Sequence, residues 1–380
     1  MAKKPTIVIN ALQYKRDSSG IGILLRELFG LFIQRTEYPC QFVLSKGNSA
    51  IFPHNSKVEI IETPFAYEES FKRILYQSFL LGTRCNNTVL LTVDSKIPLF
   101  LPRSCRLLPL ITDLAVFRMP EVYQGSRVFL WKHQFHTICH HATHFLAISE
   151  FTKKEMVEIL GISPEHIDIV SCAASSKMHR VADEVALSFL RSKYQLPEHF
   201  ILFVGNFNPR KNITRLISAF DQVKQKNCLP YDLVIAGSQG WKFEKIEALS
   251  NIANKESIHF IGYVPDEDMP ALYSAAEVFA FPTLYEGFGI PVIEAQICGT
   301  PVLTSNTSSL PEIAGDAAVY VDPYSEVSIA DGLLRLLTDN QLRNNLIEKG
   351  YRNANRFSWE ASVQKLEQVL TTITEGNSHV

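Results

Sequence analysis

The chain has 380 residues, enough for two domains of ordinary size, and its 46% apolar and 20% charged residues are typical of a globular protein. This composition excludes a disordered tail, a collagenous chain and a coiled coil, and no uncharged apolar run is long enough to span a membrane. The net charge is −2, but the first 175 residues carry 19 basic and 15 acidic side chains, whereas the remainder carries 18 and 24. Neither part is basic enough to indicate a nucleic-acid partner, and the mild excess in the first half reflects either chance or an anionic partner such as a membrane surface.

The cysteines indicate a reducing compartment. There are seven, an odd number, and they are scattered along the chain without a CxxC pair. The apolar run near the start is too short for a secretory signal and predicts a first strand instead. We therefore expect a cytoplasmic protein with buried free thiols.

The first half alternates between strand and helix patterns. Predicted strands lie at residues 6–12, 42–45, 57–62, 89–93, 107–112 and 145–149, and predicted helices at 21–35, 127–141 and 152–160. A polar stretch at 175–197 predicts the domain boundary. The first domain is therefore assigned to residues 1–175.

The second half repeats the alternation more clearly. Predicted strands lie at residues 200–207, 232–237, 258–264, 278–282, 301–306 and 318–322, and predicted helices at 212–226, 242–253, 266–276, 289–298 and 327–337. Two further helices are predicted at 341–356 and 360–374. Continuous apolar strands that alternate with helices predict a parallel sheet covered on both faces, with a ligand outside the carboxyl ends of the strands. The second domain is assigned to residues 196–357.

The densest candidate site is the segment LYEGFGIPVIE at residues 284–294, which follows a predicted strand. Gly287 and Gly289 would let the backbone approach a ligand, and the helix predicted from Gly289 would direct its free amides to the same place. Glu286 and Glu294 are eight positions apart, too far to act on one atom but suited to two parts of a polyhydroxylated ligand. Complementarity to the helix dipole is the alternative explanation for these carboxylates.

The second candidate is the loop VGNFNPRKN at residues 204–212, between a strand and a helix. Gly205 permits a tight exit from the strand, and Arg210 and Lys211 present two cationic heads that suit a diphosphate. Asn212 is a favourable N-cap residue. A solvated basic pair is the alternative.

A third segment, SSGIG at residues 18–22, lies between the first strand and the first helix. It is only part of a dinucleotide fingerprint, because Leu25 stands where the third glycine would be. We interpret it as a glycine loop near a phosphate or an acceptor.

Four motifs of the second half, in order and at matching spacing, resemble the retaining glycosyltransferases of family 4. They are PRKN at 209–212, G-x-V at 262–264, the E-x7-E pair within EGFGIPVIEAQICGTPV, and SSLPEIAGDAA at 308–318. The first half resembles the family more loosely, through its glycine loop, Asp113 with Pro120–Glu121, and LAISEFTKKEM at 146–156. The resemblance implies the GT-B architecture: an α/β fold of two Rossmann-like, doubly wound domains with a cleft between them, and a closing helix in 358–380 that returns to the first domain.

The resemblance also implies roles for particular residues. Arg210 and Lys211 would bind the donor diphosphate and help the nucleotide leave, and Glu286 would hold the donor sugar. The other donor-binding positions would be Gly22 and Gly205 near the phosphates, the backbone of Tyr263 and Val264 at the base, the amides of Phe288, Gly289 and Ile290 at the sugar, and Glu294 at the ribose.

The sequence departs from the family in the first half. Members often carry His-Asp where this chain has Thr112–Asp113, and the usual Pro-Asn-Gly after position 170 is replaced by Ser171–Cys172–Ala173. Asp113 remains a candidate catalytic residue that contacts the sugar or the acceptor.

Three other features have two interpretations each. Asp266–Glu267–Asp268 resembles a D-x-D metal motif, but its position at a predicted helix start favours capping. The histidines at 133, 136, 140 and 144 could form a metal cluster or an ordinary helical stripe. Phe71, Tyr76 and Phe79, with nearby basic residues, could form an interfacial membrane helix, although core packing is favoured for these aromatic side chains.

The sequence thus predicts a metal-independent retaining glycosyltransferase with no cofactor apart from its nucleotide diphosphate sugar. The PRKN form is similar to that of mannosyltransferases of bacterial surface polysaccharide, so GDP-mannose is the first donor to consider, with a glycan or lipid-linked acceptor and peripheral contact with the inner membrane. A retaining hydrolase would need two close carboxylates, which this sequence does not fix. The alternatives are a sugar-nucleotide epimerase of the same architecture and a non-catalytic glycan-binding relative.

Overall fold

Two parallel β-sheets organise the chain, one in each of two units. A computed structural model describes residues 4–14, 20–94, 96–123, 125–227, 229–237 and 252–375. The first unit takes the chain up to Cys172 and again from Ser358, and the second takes Ala173–Phe357. The segment 176–195, which the sequence left between its two domains, thus groups with the second unit, and its helix is Glu184–Tyr194.

The sheet of the first unit has seven strands in the order β3-β2-β1-β4-β5-β6-β7. The strands are β1 Thr6–Asn10, β2 Cys40–Leu44, β3 Val58–Glu62, β4 Thr88–Val93, β5 Arg106–Ile111, β6 Phe145–Ala147 and β7 Ile167–Ile169. All six residues of β4 are buried, as expected for a central strand with helices on both faces.

The first unit has four main helical segments along the chain before its closing helix. The first consists of Gly20–Leu24, a π-turn at Leu25–Phe29 and Gly30–Arg35. The second consists of Ser70–Leu75, a π-turn at Tyr76–Leu80 and a 3₁₀ turn at Leu81–Arg84. The third is Gly125–His141, and the fourth is Glu150–Leu160. Shorter helical turns are Ser49–Ile51, Ala115–Arg118, Pro120–Val122 and Pro164–His166. The sequence sets the limits of Glu150–Leu160, because the Ser149 hydroxyl accepts a bond from the amide of Thr152 and Gly161 ends the helix in the left-handed conformation.

The sheet of the second unit has six parallel strands in the order β10-β9-β8-β11-β12-β13. The strands are β8 Phe200–Val204, β9 Asp232–Ala236, β10 Ile258–Gly262, β11 Val278–Phe281, β12 Val302–Ser305 and β13 Ala318–Val321. The helices and helical turns around them are Pro209–Lys211, Ile213–Asn227, Lys255–Ser257, Met269–Ala275, Ile290–Ile297, Leu310–Ala314, Glu326–Thr338 and Asn340–Ala354.

Amphipathic helices cover this second sheet. Ile213–Asn227 is an example, since Ile213, Leu216, Ile217 and Phe220 are buried at helical spacing. The direction of strand succession reverses between β8 and β11 in this unit, and between β1 and β4 in the first. Ligands of such sheets bind at the carboxyl ends of the strands on either side of the reversal.

The observed strands lie where the sequence predicts them, with ends that differ by up to three residues. β7 is the exception: this three-residue strand is not predicted, because Asp168 interrupts its apolar run. Most of the helix predicted at 242–253 lies outside the described residues. No helix of the described ranges is long and apolar enough to cross a bilayer.

The closing helix Trp359–Glu375 belongs to the first unit. Its Ser362 hydroxyl donates to the carbonyl of Ser171 at 2.7 Å, and Lys365 Nζ lies 2.6 Å from Asp168 Oδ1. Val363, Leu366, Val369 and Leu370 are buried on one face of the helix. The first unit is therefore built from two separate stretches of chain.

Candidate active site

The loops that leave β8, β9 and β10 are joined through their glycines. The amide of Gly205 donates to the carbonyl of Ala236 at 2.9 Å, and the amide of Gly237 donates to that of Gly262 at 2.8 Å. Gly237 has φ +148°, and a Cβ there would lie 2.0 Å from the Gly205 carbonyl oxygen. Gly237 is not among the predicted site residues, although it follows β9 directly, as Gly205 follows β8.

The loop after β8 presents the two predicted cations. Asn208 Oδ1 accepts from the amide of Arg210 at 3.1 Å and so starts the 3₁₀ turn Pro209–Lys211. This turn places Arg210 and Lys211 at the carboxyl end of β8, beside the point where the strand order reverses. The position is the one that the sequence predicts for a diphosphate site.

Asn212 holds two loops together, although its position suggested a helix cap. It adopts the left-handed conformation at φ +60°, which asparagine tolerates, and its side chain is buried. Its Nδ2 donates to the carbonyls of Pro282 at 2.9 Å and Pro323 at 2.7 Å, while Oδ1 accepts from Arg215 at 3.0 Å. Asn212 therefore ties the loop after β8 to the chain beyond β11 and β13.

Glu286 is the partner of both cations. Its Oε1 lies 2.6 Å from Lys211 Nζ, and its Oε2 lies 3.0 Å from Arg210. Arg210 also donates to the carbonyl of Tyr285 at 2.9 Å, and Lys211 Nζ lies 4.8 Å from the centre of the Phe281 ring. Burial alone would raise the pKa of Glu286, but the charges of Arg210 and Lys211 outweigh it and lower the pKa below its ordinary value. We call these three residues the cation–carboxylate triad, and its formal charge is +1.

Hydroxyl groups from the end of β12 and from the chain just beyond it bond to the loop that carries Glu286. Ser309 Oγ donates to the carbonyls of Glu286 at 3.0 Å and Phe288 at 2.7 Å, and Ser308 Oγ accepts from the amide of Glu286 at 3.2 Å. Ser305 Oγ donates to the carbonyl of Thr283 at 2.6 Å. Ser308 and Ser309 belong to the motif at 308–318, from which no site residue was predicted. Their hydroxyl groups fix the conformation of the loop that carries Glu286.

The helix after this loop begins at Ile290 and ends at Ile297. Gly289 precedes it with φ +106°, and a Cβ there would lie 2.8 Å from a Leu310 methyl group. Phe288 and Ile290 are buried on either side of Gly289. The first amides of a helix have no carbonyl partner within it, so this end can receive an anion or a hydroxyl oxygen.

Glu294 lies inside this helix and is only 4% exposed. The Tyr273 hydroxyl donates to its Oε2 at 2.9 Å. Burial, followed by the charge of Glu294, raises the pKa of Cys298 to about 12, so this thiol stays neutral. Tyr263 and Val264 follow β10, the former 45% exposed and the latter buried.

Asp113 and Gly22 belong to the first unit, whereas the other predicted site residues belong to the second. Asp113 Oδ1 accepts from the amide of Ala115 at 3.0 Å and starts the short helix there. Gly22 is buried within the helix Gly20–Leu24, which starts one residue before the predicted helix 21–35, so the interpretation of 18–22 as a glycine loop is wrong at Gly22. Ser18 and Ser19 of that segment lie outside the described residues.

Side-chain contacts are observed at two other features that the sequence left with two interpretations each. Asp268 does not cap a helix with its side chain, since its Oδ2 receives bonds from Lys193 at 2.6 Å and the Tyr194 hydroxyl at 2.5 Å. His144 pairs with Asp168 at 2.7 Å. Among the described residues, no three His, Cys, Asp or Glu side chains are grouped so that they could hold a metal ion.

Comparison with known proteins agrees with this geometry. The family model of Glycosyl transferases group 1 matches residues 189–353, which lie within the second unit. The second unit therefore contains a group 1 glycosyltransferase domain. The cation–carboxylate triad, Gly237, Glu294 and Ser309 all lie in this group 1 domain, and the resemblance to glycosyltransferases is confirmed at the level of group 1.

Two relatives match part of this chain. The O-antigen chain mannosyltransferase B of Escherichia coli is 35% identical over 250 residues, 65% of each chain. The serotype-specific mannosyltransferase WbdA of Escherichia coli is 33% identical over 218 residues, 56% of this chain and 27% of that protein. The chain thus spans less than two thirds of the length of either relative.

A solved structure supports the fold of the whole chain. The sucrose-phosphate synthase of Thermosynechococcus elongatus matches with a TM-score of 0.77 and 20% identity, over 98% of this chain and all of that one. It is a GT-B glycosyltransferase, and the prediction of two Rossmann-like domains of the GT-B class is confirmed.

Proposed function

We propose that the chain is a retaining glycosyltransferase that transfers a hexose from a nucleotide diphosphate sugar to a glycan or lipid-linked acceptor. The observation that carries the proposal is the cation–carboxylate triad at the strand reversal of a group 1 domain. Two cations held at this edge suit a diphosphate, and the neighbouring helix start adds amide donors.

In this proposal Arg210 and Lys211 stabilise the nucleotide diphosphate as it leaves, which is where negative charge develops. Glu286 orients both cations through its two carboxylate oxygens, and it holds the donor sugar together with the amides of Phe288, Gly289 and Ile290. Glu294 binds the ribose hydroxyls, and the backbone of Tyr263–Val264 faces the base. Because protein cations supply the charge, we propose that transfer needs no metal ion.

Mannose is the first sugar to consider because both named relatives are mannosyltransferases, one of the O-antigen chain. We therefore propose GDP-mannose as donor and a mannose-terminated, surface-polysaccharide acceptor. The acceptor hydroxyl attacks from the side of the leaving group, so the α-configuration of the donor is kept. The proposed location is the cytoplasm, at the inner face of the membrane.

The test is a titration of the full chain with GDP-mannose, UDP-glucose, ADP-glucose and dTDP-glucose in EDTA, followed by transfer to octyl α-mannoside. We expect GDP-mannose alone to raise the melting temperature, as a ligand selective for the folded state does. We also expect ¹H NMR of the first product to show an α-linked mannose. A β-linked product would refute retention, and activity that returns only with added metal would refute metal independence.

Two outcomes would favour the alternatives. A sugar isomer released with the nucleotide in the absence of any acceptor would indicate an epimerase. Glycan binding without binding of any nucleotide sugar would indicate a non-catalytic relative. The triad supports an enzyme that takes a nucleotide diphosphate sugar over a non-catalytic relative, and the need for an acceptor then separates a transferase from an epimerase.

We further propose that the second helical segment of the first unit contacts the membrane. Tyr76 packs into the core, but Phe71 is 73% exposed, and Phe79 and Phe100 expose their rings with centroids 6.4 Å apart. Exposed apolar side chains so close together mark an interaction surface. Lys72 beside them is paired with Glu69, and it would have to exchange this partner to bind an anionic headgroup. This apolar surface consists of Phe71, Ile74, Leu75, Phe79, Leu80, Leu99 and Phe100.

Sedimentation with vesicles tests this contact. Wild type should sediment with phosphatidylglycerol vesicles and less with phosphatidylcholine, and Phe71→Glu with Phe100→Glu should abolish sedimentation while transfer to octyl α-mannoside continues. Val185→Glu, which alters a similarly exposed apolar side chain of the second unit, is the matched control. Equal sedimentation of all three proteins would refute the assignment of this surface.

A further inference from the structure

A second polar cluster lies at the strand reversal of the first unit, and the sequence motifs pointed only to its Thr112–Asp113 part. It gathers Gln13 from beyond β1, Asp94 and Lys96 from beyond β4, and Thr112 and Asp113 from beyond β5. These three strands are neighbours in the order β1-β4-β5. The cluster therefore occupies the edge at which a sheet of this kind receives a ligand.

Asp94 is at the centre of the cluster. It adopts the left-handed conformation, with φ +53°, and its amide donates to the carbonyl of Leu110 at 2.8 Å. Its Oδ1 accepts two bonds from Thr112, one from the amide at 2.8 Å and one from the hydroxyl at 2.7 Å. Thr112, which stands where family members often carry histidine, thus fixes the orientation of a carboxylate.

Lys96 is held in place on the other side of the turn. Its carbonyl accepts from Asn10 Nδ2 at 3.1 Å and from the Thr92 hydroxyl at 2.7 Å, and both of these side chains are buried. Its Nζ donates to Gln13 Oε1 at 3.0 Å and lies 5.9 Å from the centre of the Trp131 ring. Gln13 Nε2 is buried, and no described residue accepts a hydrogen bond from it.

Among the described residues, nothing donates a hydrogen bond to Oδ2 of Asp94 or of Asp113. The hydrogen bonds that the described residues make to Asp94 and Asp113 all use Oδ1. The cluster thus combines fixed acceptors on Oδ2 with an ammonium donor, which is the mixture that recognises the vicinal hydroxyls of a sugar ring.

We propose that Asp94 and Asp113, with Lys96 beside them, bind the hydroxyl groups of the acceptor sugar. This inference rests on the proposed function, because it identifies the side chains of the first unit that select the acceptor. Asp94 is assigned as an acceptor-binding residue, and Thr112 as the residue that positions it.

A pH dependence follows from the surroundings of Asp94. Burial and the charge of Asp113 raise the pKa of Asp94 to about 6, against the opposing effects of Lys96 and the bonds from Thr112. The positive charge of Arg73 also acts on Lys96. The ionised carboxylate accepts from sugar hydroxyls more strongly than the protonated form, so acceptor binding should weaken as the pH falls through about 6.

The experiment is a kinetic comparison of the wild-type full chain with Asp94→Asn, using GDP-mannose and octyl α-mannoside. The variant should raise the KM for octyl α-mannoside by about 10- to 100-fold, the effect of losing a charged hydrogen bond, while the Kd for GDP-mannose changes less than about twofold. Between pH 7 and pH 5 the acceptor KM should rise about tenfold for wild type and stay level for Asp94→Asn.

Controls keep the result interpretable. Asp168→Asn alters a carboxylate of the same unit that is paired with His144 and Lys365, and it should leave the acceptor KM unchanged. If Asp94→Asn does not fold, Asp113→Asn replaces it with the same expectation for KM. An unchanged acceptor KM, or an equal loss of donor affinity, would overturn the inference.

Failure of the proposed function would look different. If GDP-mannose does not bind at all, the donor proposal fails, and saturation-transfer NMR of octyl α-mannoside on wild type and Asp94→Asn still tests this cluster. A signal that the variant loses would support the sugar site, and signals that are equal or absent in both proteins would overturn it.

Discussion

Lys211 and Glu286 are 75 positions apart in the sequence, yet Lys211 Nζ lies 2.6 Å from Glu286 Oε1. They meet because β8 and β11 are neighbours, although two other strands separate them along the chain. Arg210 completes the arrangement at 3.0 Å from the other carboxylate oxygen. Each cation is therefore oriented before any anion arrives, which lowers the cost of organising the site.

Removing the ammonium of Lys211 should abolish most of the activity. Lys211→Ala should lower kcat/KM by about 100- to 1,000-fold, the usual effect of deleting one group that stabilises a developing negative charge. Initial rates of mannose transfer from GDP-mannose to octyl α-mannoside are the measurement. Lys224→Ala, which removes a lysine paired with Asp232 in the same unit, should retain normal rates. Rates for Lys211→Ala within twofold of wild type would contradict the assigned role.

Glu286 should make the stability of the second unit sensitive to acid. Its pKa is lowered in the folded state, so its stabilising effect is complete above its ordinary value of 4.5 and is lost as the pH falls through the lower, folded value. Glu286→Gln should cost about 3 kcal/mol in free energy of unfolding at pH 7, because two half-buried cations lose their buried counter-ion. Below about pH 4 the difference between the two proteins should shrink.

Urea unfolding monitored between pH 3 and pH 7 measures this effect. Glu348→Gln changes an exposed carboxylate in the same unit and should match wild type throughout. If the free energies of unfolding of wild type and Glu286→Gln differed by the same amount at every pH, ionisation of Glu286 would not be the source of the stabilisation.

Gly237 should tolerate no side chain. Gly237→Ala would place a Cβ 2.0 Å from the backbone oxygen of Gly205, which a rigid strand end cannot move away cheaply. We expect a loss of about 3 kcal/mol or more in free energy of unfolding, together with loss of activity. Gly262→Ala is the matched comparison, because that Cβ would meet nothing within 4 Å and only the φ of +73° would be unfavourable. It should cost about 1 kcal/mol, and equal costs at the two positions would refute the steric explanation.

Ser309 should affect catalysis through the loop that carries Glu286. Ser309→Ala leaves the carbonyls of Glu286 and Phe288 without this hydroxyl, so we expect a loss of about 2 kcal/mol in stability and a lower kcat. Ser309→Thr keeps the hydroxyl and should restore part of both. Thr338→Val removes an exposed hydroxyl that bonds only to its own helix, and it should be neutral in thermal unfolding and in transfer assays. Normal kcat in Ser309→Ala would mean that the loop holds its shape without this residue.

The sequence predicts the strands and the main site loops well because both signals are local. A buried parallel strand is a continuous apolar run, and Arg210–Lys211 and Glu286 each follow such a run directly. β7 was missed because Asp168, which faces His144 and Lys365, breaks the apolar pattern of a three-residue strand. Two signals disagreed at Gly22: the glycine pattern favoured a loop, because glycine is rare within helices, and the apolar pattern favoured a helix from residue 21. The apolar pattern was right, since Gly22 lies in a helix that starts at Gly20.

The side-chain pairs that join different loops could not be predicted, because they depend on which strands are neighbours in the sheet. No local pattern marks Asp94 as the partner of Thr112, or Tyr273 as the partner of Glu294. The same applies to Asn212, whose position before a helix suggested capping while its amide bonds to Pro282 and Pro323, far along the chain.

The closing helix has a consequence for the order in which the protein assembles. A ribosome that has just completed residue 357 has delivered all of the second unit, but the first unit still lacks Trp359–Glu375 and the buried face that this helix contributes. Until then, the side chains that Val363, Leu366, Val369 and Leu370 will cover are open to water and to other chains. The unit that is translated first must therefore be the last to reach its final structure.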